Sequence, residues 1–197
     1  LATIDGKTAF LGNPPYVRHH DIGENWKRWY VDSFAALGLK ASALAGLHLH
    51  FFLKVSQLAK PGDVGAFITS AEWMDVNYGS ALRSLLVDGL GLESLHVLEP
   101  SVEAFPGTAT TAAISCFHVG NRKRTIRSRS VGTLDRLNGL SRGQAGAKKV
   151  FRQAPRWSPI LTPGDEDPGD FIELGEFFRV HRGQVTGKNE VWVASEA

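Results

Sequence analysis

The sequence predicts an α/β protein built on one sheet, and three observations carry that expectation. Short apolar runs alternate with helical patterns as far as about residue 120. One of the runs, "VGAFITS" at 64–70, is nearly continuous, as a central strand covered on both faces must be. Glycine and proline fall mostly between the runs.

Taken in order, "TAFLG" (8–12) reads as a short buried strand that stops at Asn13-Pro14-Pro15-Tyr16. Two prolines cannot continue a ladder or lie inside a helix. "NWKRWYVDSFAAL" (25–37) reads as an amphipathic helix closed near Gly38. In the next segment Leu44, Leu47, Phe51, Val55 and Leu58 recur at helical spacing and form one apolar face. Lys60-Pro61-Gly62-Asp63 is a stop and turn, after which the 64–70 strand begins. "YGSALRSLLVDGL" predicts a further helix with Ala81, Leu82, Leu85 and Leu86 inward. "ESLHVLE" and "TTAAISCFHV" predict two more strands.

Composition narrows the function classes. Apolar content of 43% suits a buried core. The single cysteine, Cys116, excludes an internal disulfide framework and fits a reducing, cytoplasmic compartment. No apolar run reaches the ~18 residues of a membrane span, and no leader is expected. A metal is not expected either, because His48 and His50 lie two apart and do not share a helical face. The net charge of +2 hides an uneven distribution. Between Asn121 and Arg156 eleven of the 22 Lys and Arg are gathered, among them Arg122, Lys123, Arg124, Arg127 and Arg129, with Asp135 the one acid. Such a segment suits a polyanion, or equally a solvated linker. Residues 1–120 therefore read as one sheet domain, 121–170 as a basic, loop-rich connector, and 171–197 as the start of a second, mostly β or irregular domain cut off at Ala197. An opening on Leu1 rather than Met points to a piece of a longer chain.

The Asn-Pro-Pro-Tyr turn carries chemistry. In an open α/β sheet, ligands sit beyond the carboxyl ends of the strands. The Asn13 side-chain carbonyl and the Pro14 backbone carbonyl are two acceptors held together, which suits a planar NH2 group with two donors. Accepting from both hydrogens localises the nitrogen lone pair. Tyr16 adds a flat face. A plain turn has the same composition, so the wider pattern decides. "FLGNPPY", "LHLHFFLKVSQLAKPGDVGAFITSAEWMD" (47–75) and "EAFPGTATTAAIS" (103–115) together resemble the TaqI-type amino-methyltransferases, which methylate N6 of adenine in DNA. The resemblance runs from about Thr8 to Val119, and "RVHRGQVTGKNEVWV" (179–193) is similar to the start of their target-recognition region.

That resemblance implies a partial Rossmann-like class I methyltransferase sheet with helices on both faces. It implies catalytic roles for Asn13, Pro14 and Tyr16, contact of Pro15 and Phe105 with an extruded adenine, and double-stranded DNA as partner. The basic residues Arg122, Lys123, Arg124, Arg127 and Arg129, with Lys188 and Asn189, would then contact DNA. S-adenosylmethionine would be the donor. The family places its donor-binding Gly-rich turn and acid ahead of the Asn-Pro-Pro-Tyr turn, where only twelve residues stand here. The donor pocket is thus expected largely outside this chain, in a missing N-terminal half or a companion chain, and the sheet is expected to lack one side. A protein glutamine methyltransferase, whose substrate is also a planar NH2, and a catalytically incomplete DNA-binding fragment are the alternatives.

Overall fold

The computed structural model describes residues 6–102, 111–140, 142–161 and 177–179. One compact unit ends at Pro163 and holds all of these except 177–179. Its strands are β1 (Ala9–Gly12), β2 (Val64–Ser70), β3 (Leu92–Leu98), β4 (Ala112–His118), β5 (Thr125–Val131) and β6 (Gln144–Ala147). They form a six-stranded mixed sheet in the order β1-β2-β4-β3-β5-β6. β1 is parallel to β2, β3 to β5, and β4 is antiparallel to both β2 and β3. Strands β1, β2, β3 and β5 therefore all point one way, and their carboxyl ends share one edge of the sheet.

The helices are α1 (Glu24–Ala36), α2 (Leu47–Leu58), α3 (Ser80–Ser84, continued by a π-helical turn over Leu85–Leu90), α4 (Lys148–Gln153) and α5 (Ser158–Leu161). The main core joins Tyr30 and Phe34 of α1 and Leu49, Phe52 and Leu53 of α2 to Phe67 of β2 and Phe117 of β4. A smaller cluster of Leu98, Val102, Ala112 and Val131 packs with Ile68 and Leu137. Gly65 is needed where β2 passes its neighbours, because a Cβ there would collide with the Phe117 ring and lie 2.9 Å from the Phe10 carbonyl oxygen. Gly91 closes the π turn at φ 73°, a left-handed conformation suited to glycine.

Two expectations change. β1 is not buried: it lies at the sheet edge with Leu11 79% exposed. An apolar run reveals a strand but not how many neighbours cover it. The loop-rich reading of 121–170 also fails for two of its described stretches, which form β5 and β6. In β5 the buried Ile126, Ser128 and Val131 are interleaved with exposed Arg127 and Ser130, so a Ser- and Arg-rich composition conceals a strand. Beyond β6, Phe151 and Trp157 enter the main core. The Trp157 ring stands edge-on to Trp73 at 5.6 Å, and its Nε1 donates to the Phe151 carbonyl at 2.9 Å.

Trp157→Ala is expected to destabilise the chain by about 3–5 kcal/mol in urea unfolding, the range for emptying a large aromatic site. A solvated connector at this position predicts a change within about 0.5 kcal/mol.

Candidate acceptor site at the strand ends

The site begins where β1 and β2 end. Pairing of Gly12 with Phe67 carries β2 three residues further, to Ser70. The turn after β1 thus lies beside the last residues of β2. Within it Pro14 is buried, while Asn13, Pro15 and Tyr16 are exposed. Asn13 and Tyr16 line a cleft of about 860 Å³ together with Val17, Arg18, His19, His20, Leu44, Gly46, His48, Ser70, Glu72 and Tyr78. That volume falls in the range of small-ligand clefts.

Each wall has its own support. The Val17 carbonyl accepts from the Leu47 amide at 3.0 Å, which fastens the start of α2 to the Asn-Pro-Pro-Tyr turn. His48 then stands 6.0 Å from the Tyr16 ring. On the other side the Ala71 amide donates to the Thr111 carbonyl at 2.8 Å. Arg83 is buried and donates to the carbonyls of Trp73 (2.6 Å) and Val76 (3.0 Å), which holds the segment that carries Glu72. Trp73 is fully buried, with its indole N–H on the Thr69 hydroxyl at 3.1 Å. It belongs to the main core and does not line the cleft. Asp75 turns away from the cleft to accept from the Trp157 and Ser158 amides at 3.1 and 3.0 Å. Of Glu72, Trp73 and Asp75, which follow the end of β2, only Glu72 lines the cleft.

Burial favours the neutral form of three cleft residues, Tyr16, Tyr78 and His48. Burial, with the neighbouring Glu72 charge, pushes the Tyr78 hydroxyl up to about 12, and this hydroxyl donates to Glu72 at 3.2 Å. Partial burial raises Tyr16. Burial lowers His48 to about 4, helped by His50, and burial lowers His50 to about 4. No group of three or more His, Cys, Asp or Glu among the described residues is arranged to hold a metal.

The basic residues separate. Arg122, Lys123 and Arg124 precede β5 and gather with Lys148, Lys149 and Arg152 around a concavity of about 490 Å³. Lys123 is paired with Glu93 at 2.8 Å, and Arg152 with Asp88. Arg127 donates to the Gly143 carbonyl at 3.3 Å. Arg129 donates through Nε to His96 Nδ1 at 2.8 Å. Because β5 runs in the direction of β1, the concavity lies at the opposite edge of the sheet from Asn13, about 20 Å away along the strands. Phe105, Lys188 and Asn189 lie outside the described residues. The strands that flank Phe105, β3 and β4, meet their connection at the same edge as Asn13. Sequence reasoning did not anticipate Tyr78 or Arg83 here. For Tyr78 a signal existed in its proximity to the end of β2; for Arg83 nothing distinguishes it from an exposed helical arginine.

In an open α/β sheet, a cleft beyond the carboxyl ends of the strands is where ligands are held. Residues 8–105 match the family described as Eco57I restriction-modification methylase. The chain is 65% identical over 196 residues to the Type II methyltransferase M.XamI of Xanthomonas campestris pv. amaranthicola, covering 100% of this chain and 37% of that protein. It is 23% identical over 202 residues to the Type II methyltransferase M.AccI of Acinetobacter calcoaceticus, covering 94% of this chain and 37% of that protein. The chain thus spans about a third of the length of these relatives. The fold is shared with the Type IIL restriction-modification enzyme MmeI, solved in complex with DNA, at a TM-score of 0.50 and 18% identity over 71% of this chain and 18% of that one. The chain is accordingly related to restriction–modification methyltransferases. No described helix is long and apolar enough to cross a membrane.

The two lowered histidines set an acid limb. Unfolded, each titrates near 6.5, and folded near 4, so the unfolded state binds more protons between those values. Stability is expected to be full above pH 6.5 and to fall as the pH drops toward 4. Thermal midpoints of the wild type and of the double variant His48→Phe/His50→Phe, read from about pH 4 to 7, check this. The variant should lose most of the slope, and an unchanged slope contradicts the assignment.

Proposed function

We propose that this chain forms the acceptor-binding part of an S-adenosylmethionine-dependent, N6-adenine-specific DNA methyltransferase that works in restriction–modification or phage defence. The observation that carries the reading is the placement of Asn13 and Tyr16 in one cleft at the carboxyl edge of the sheet. Asn13 accepts from one hydrogen of the adenine amino group and the Pro14 carbonyl from the other. Both acceptors are fixed before the substrate arrives, so the lone pair is aimed without reorganisation. Tyr16 stacks on the base, with Pro15 and Phe105 completing its contacts. A duplex adenine reaches such a cleft only by leaving the stack. The resemblance to M.XamI over the whole chain supports a methyltransferase.

The donor's contribution is a methyl group on a sulfonium. The described residues around the cleft offer no Gly-rich turn paired with an acid, so they do not by themselves make a donor pocket, and we assign most of it to sequence outside this chain. What this chain supplies is orientation of the acceptor and exclusion of water around it.

Asn13→Ala in the intact enzyme is expected to lower methyl transfer to duplex DNA by about 10²–10³-fold, equivalent to ~2.7–4 kcal/mol, with DNA binding retained. Radiolabelled transfer to duplex and to glutamine peptide acceptors, alongside a gel-shift titration, reads both. Near wild-type turnover would remove the turn from the chemistry, and transfer to peptide alone would favour the glutamine alternative.

For the partner we assign Arg122, Lys123 and Arg124 to the DNA backbone, with Lys188 and Asn189 in the recognition region; Arg127 and Arg129, which bond within the protein, are left out of that assignment. The concavity adds Lys148 and Lys149, so Arg122, Arg124, Lys148 and Lys149 form a group with no ion pair among the described residues. Replacing these four with Gln should flatten the dependence of log affinity on log salt by about 0.9 for each phosphate that is no longer neutralised. Cognate and random duplexes should weaken alike, because phosphate contacts position without specifying. Identical slopes for wild type and variant would return these residues to solvent.

A further inference from the structure

Among its described lining residues the cleft holds one lysine or arginine, Arg18, and the chemistry assigned to Asn13, Pro14 and Tyr16 leaves it without a task. Its side chain is exposed and makes no hydrogen bond or ion pair among the described residues. Exposed arginines are common, so exposure alone carries nothing. The backbone, the neighbouring charges and the closeness to Tyr16 set this one apart.

The backbone at 18 is held on both sides. The Val17 carbonyl accepts from the Leu47 amide at 3.0 Å. The Arg18 carbonyl accepts from the Asp21 amide at 3.0 Å, and the His19 carbonyl from the Ile22 amide at 3.3 Å. These bonds close a single 3-10 turn over His19–Asp21, which the buried Ile22 anchors. The guanidinium therefore leaves a fixed base and enters an open cleft. The acids nearby have other partners. Asp21 faces His20, at 3.8 Å from its Nε2. Glu72, on the segment after β2, accepts from the Tyr78 hydroxyl at 3.2 Å. The cleft thus carries its cation on the wall that follows β1 and its one carboxylate on the wall that follows β2. An anion that enters is drawn to the first and repelled by the second.

Reach sets the likely charge partner's place. Two residues of chain span at most ~7 Å, so the Cα atoms of Tyr16 and Arg18 lie within that distance. A base stacked on Tyr16 stays joined through its sugar to a phosphodiester on either side. We infer that Arg18 is a substrate-positioning residue that pairs with a phosphodiester next to the extruded nucleotide and anchors that backbone on the β1 side of the cleft, away from Glu72. The planar fork of an arginine suits phosphate oxygens. The inference rests on DNA being the acceptor. A glutamine peptide offers no phosphate, so the same contact favours nucleic acid over protein. The concavity around Arg124 and Lys148 lies about 20 Å away along the strands and does not reach this phosphate.

The test uses the intact enzyme and duplexes that carry one uncharged methylphosphonate, placed 5′ to the target nucleotide, 3′ to it, or well away from it. Wild type, Arg18→Gln and Arg18→Lys are compared on each. For the wild type, at least one of the two flanking replacements should lower kcat/KM by about 10-fold, the lower end for a hydrogen bond between charged groups. Arg18→Gln should lower kcat/KM on the unmodified duplex by a similar factor and be indifferent to that replacement. Arg18→Lys, which keeps the charge but not the fork, should recover part of the loss. Thermal melting reports that each variant is folded, and an exposed side chain without bonds should leave the midpoint unchanged. Wild-type indifference to both flanking replacements overturns the inference without any variant, as does undiminished sensitivity in a folded Arg18→Gln. Failure of the wild type to methylate the unmodified duplex overturns the DNA reading and this contact with it, and it is seen before any replacement is used.

Discussion

The cleft depends on a strand of four residues at the edge of the sheet, and that strand depends on Asp63. The Asp63 carboxylate is 2% exposed and accepts from the Thr8 amide at 2.8 Å and the Lys60 amide at 2.9 Å. These backbone donors, Lys60 foremost, hold its carboxyl below the usual range. Its own carbonyl accepts from the Val119 amide at 2.8 Å, so one residue joins the start of β1, the turn before β2 and the end of β4. A short edge strand with a single partner frays readily. Here its amino end is clamped, and its carboxyl end continues into a proline-stiffened turn that is fastened to α2 through Val17. Asn13 is therefore fixed from both sides although it is itself exposed.

Much of this was legible in the sequence because its causes are local. The helix α1 follows from apolar spacing and the strand at 64–70 from an uninterrupted apolar run; α2 is a helix as expected, but of its expected face Leu44, Phe51 and Leu58 are exposed, and Leu49, Phe52 and Leu53 are the residues that enter the core. The turn at 13–16 follows from proline chemistry alone. The parts that were not legible have non-local causes. Whether β1 is central or marginal depends on which strands pair with it. β5 was concealed because its buried positions include Ser128, and Trp157 was read as part of a connector because nothing near it repeats at a regular spacing. The place of His48 in the cleft wall was not legible either, because it depends on where α2 meets the turn, through the Leu47 amide and the Val17 carbonyl.

The division of the basic residues follows from the same topology. Adjacent in sequence, Arg122 to Arg129 look like one patch, but a strand separates its ends. Arg129 is engaged with His96, which in turn reaches the Leu140 carbonyl at 2.9 Å. Its charge helps to tether the segment after β5 to the sheet, whereas the group around Arg124 and Lys148 stays available to a polyanion at the far edge.

The central claim is that the strand-end cleft takes an adenine amino group. Its most direct measurement is mass spectrometry of the nucleosides released from duplex DNA after incubation with the intact enzyme and isotopically labelled S-adenosylmethionine. The account predicts label in N6-methyldeoxyadenosine alone. Label in N4-methylcytosine, or in no nucleoside while a protein substrate is modified, would contradict it.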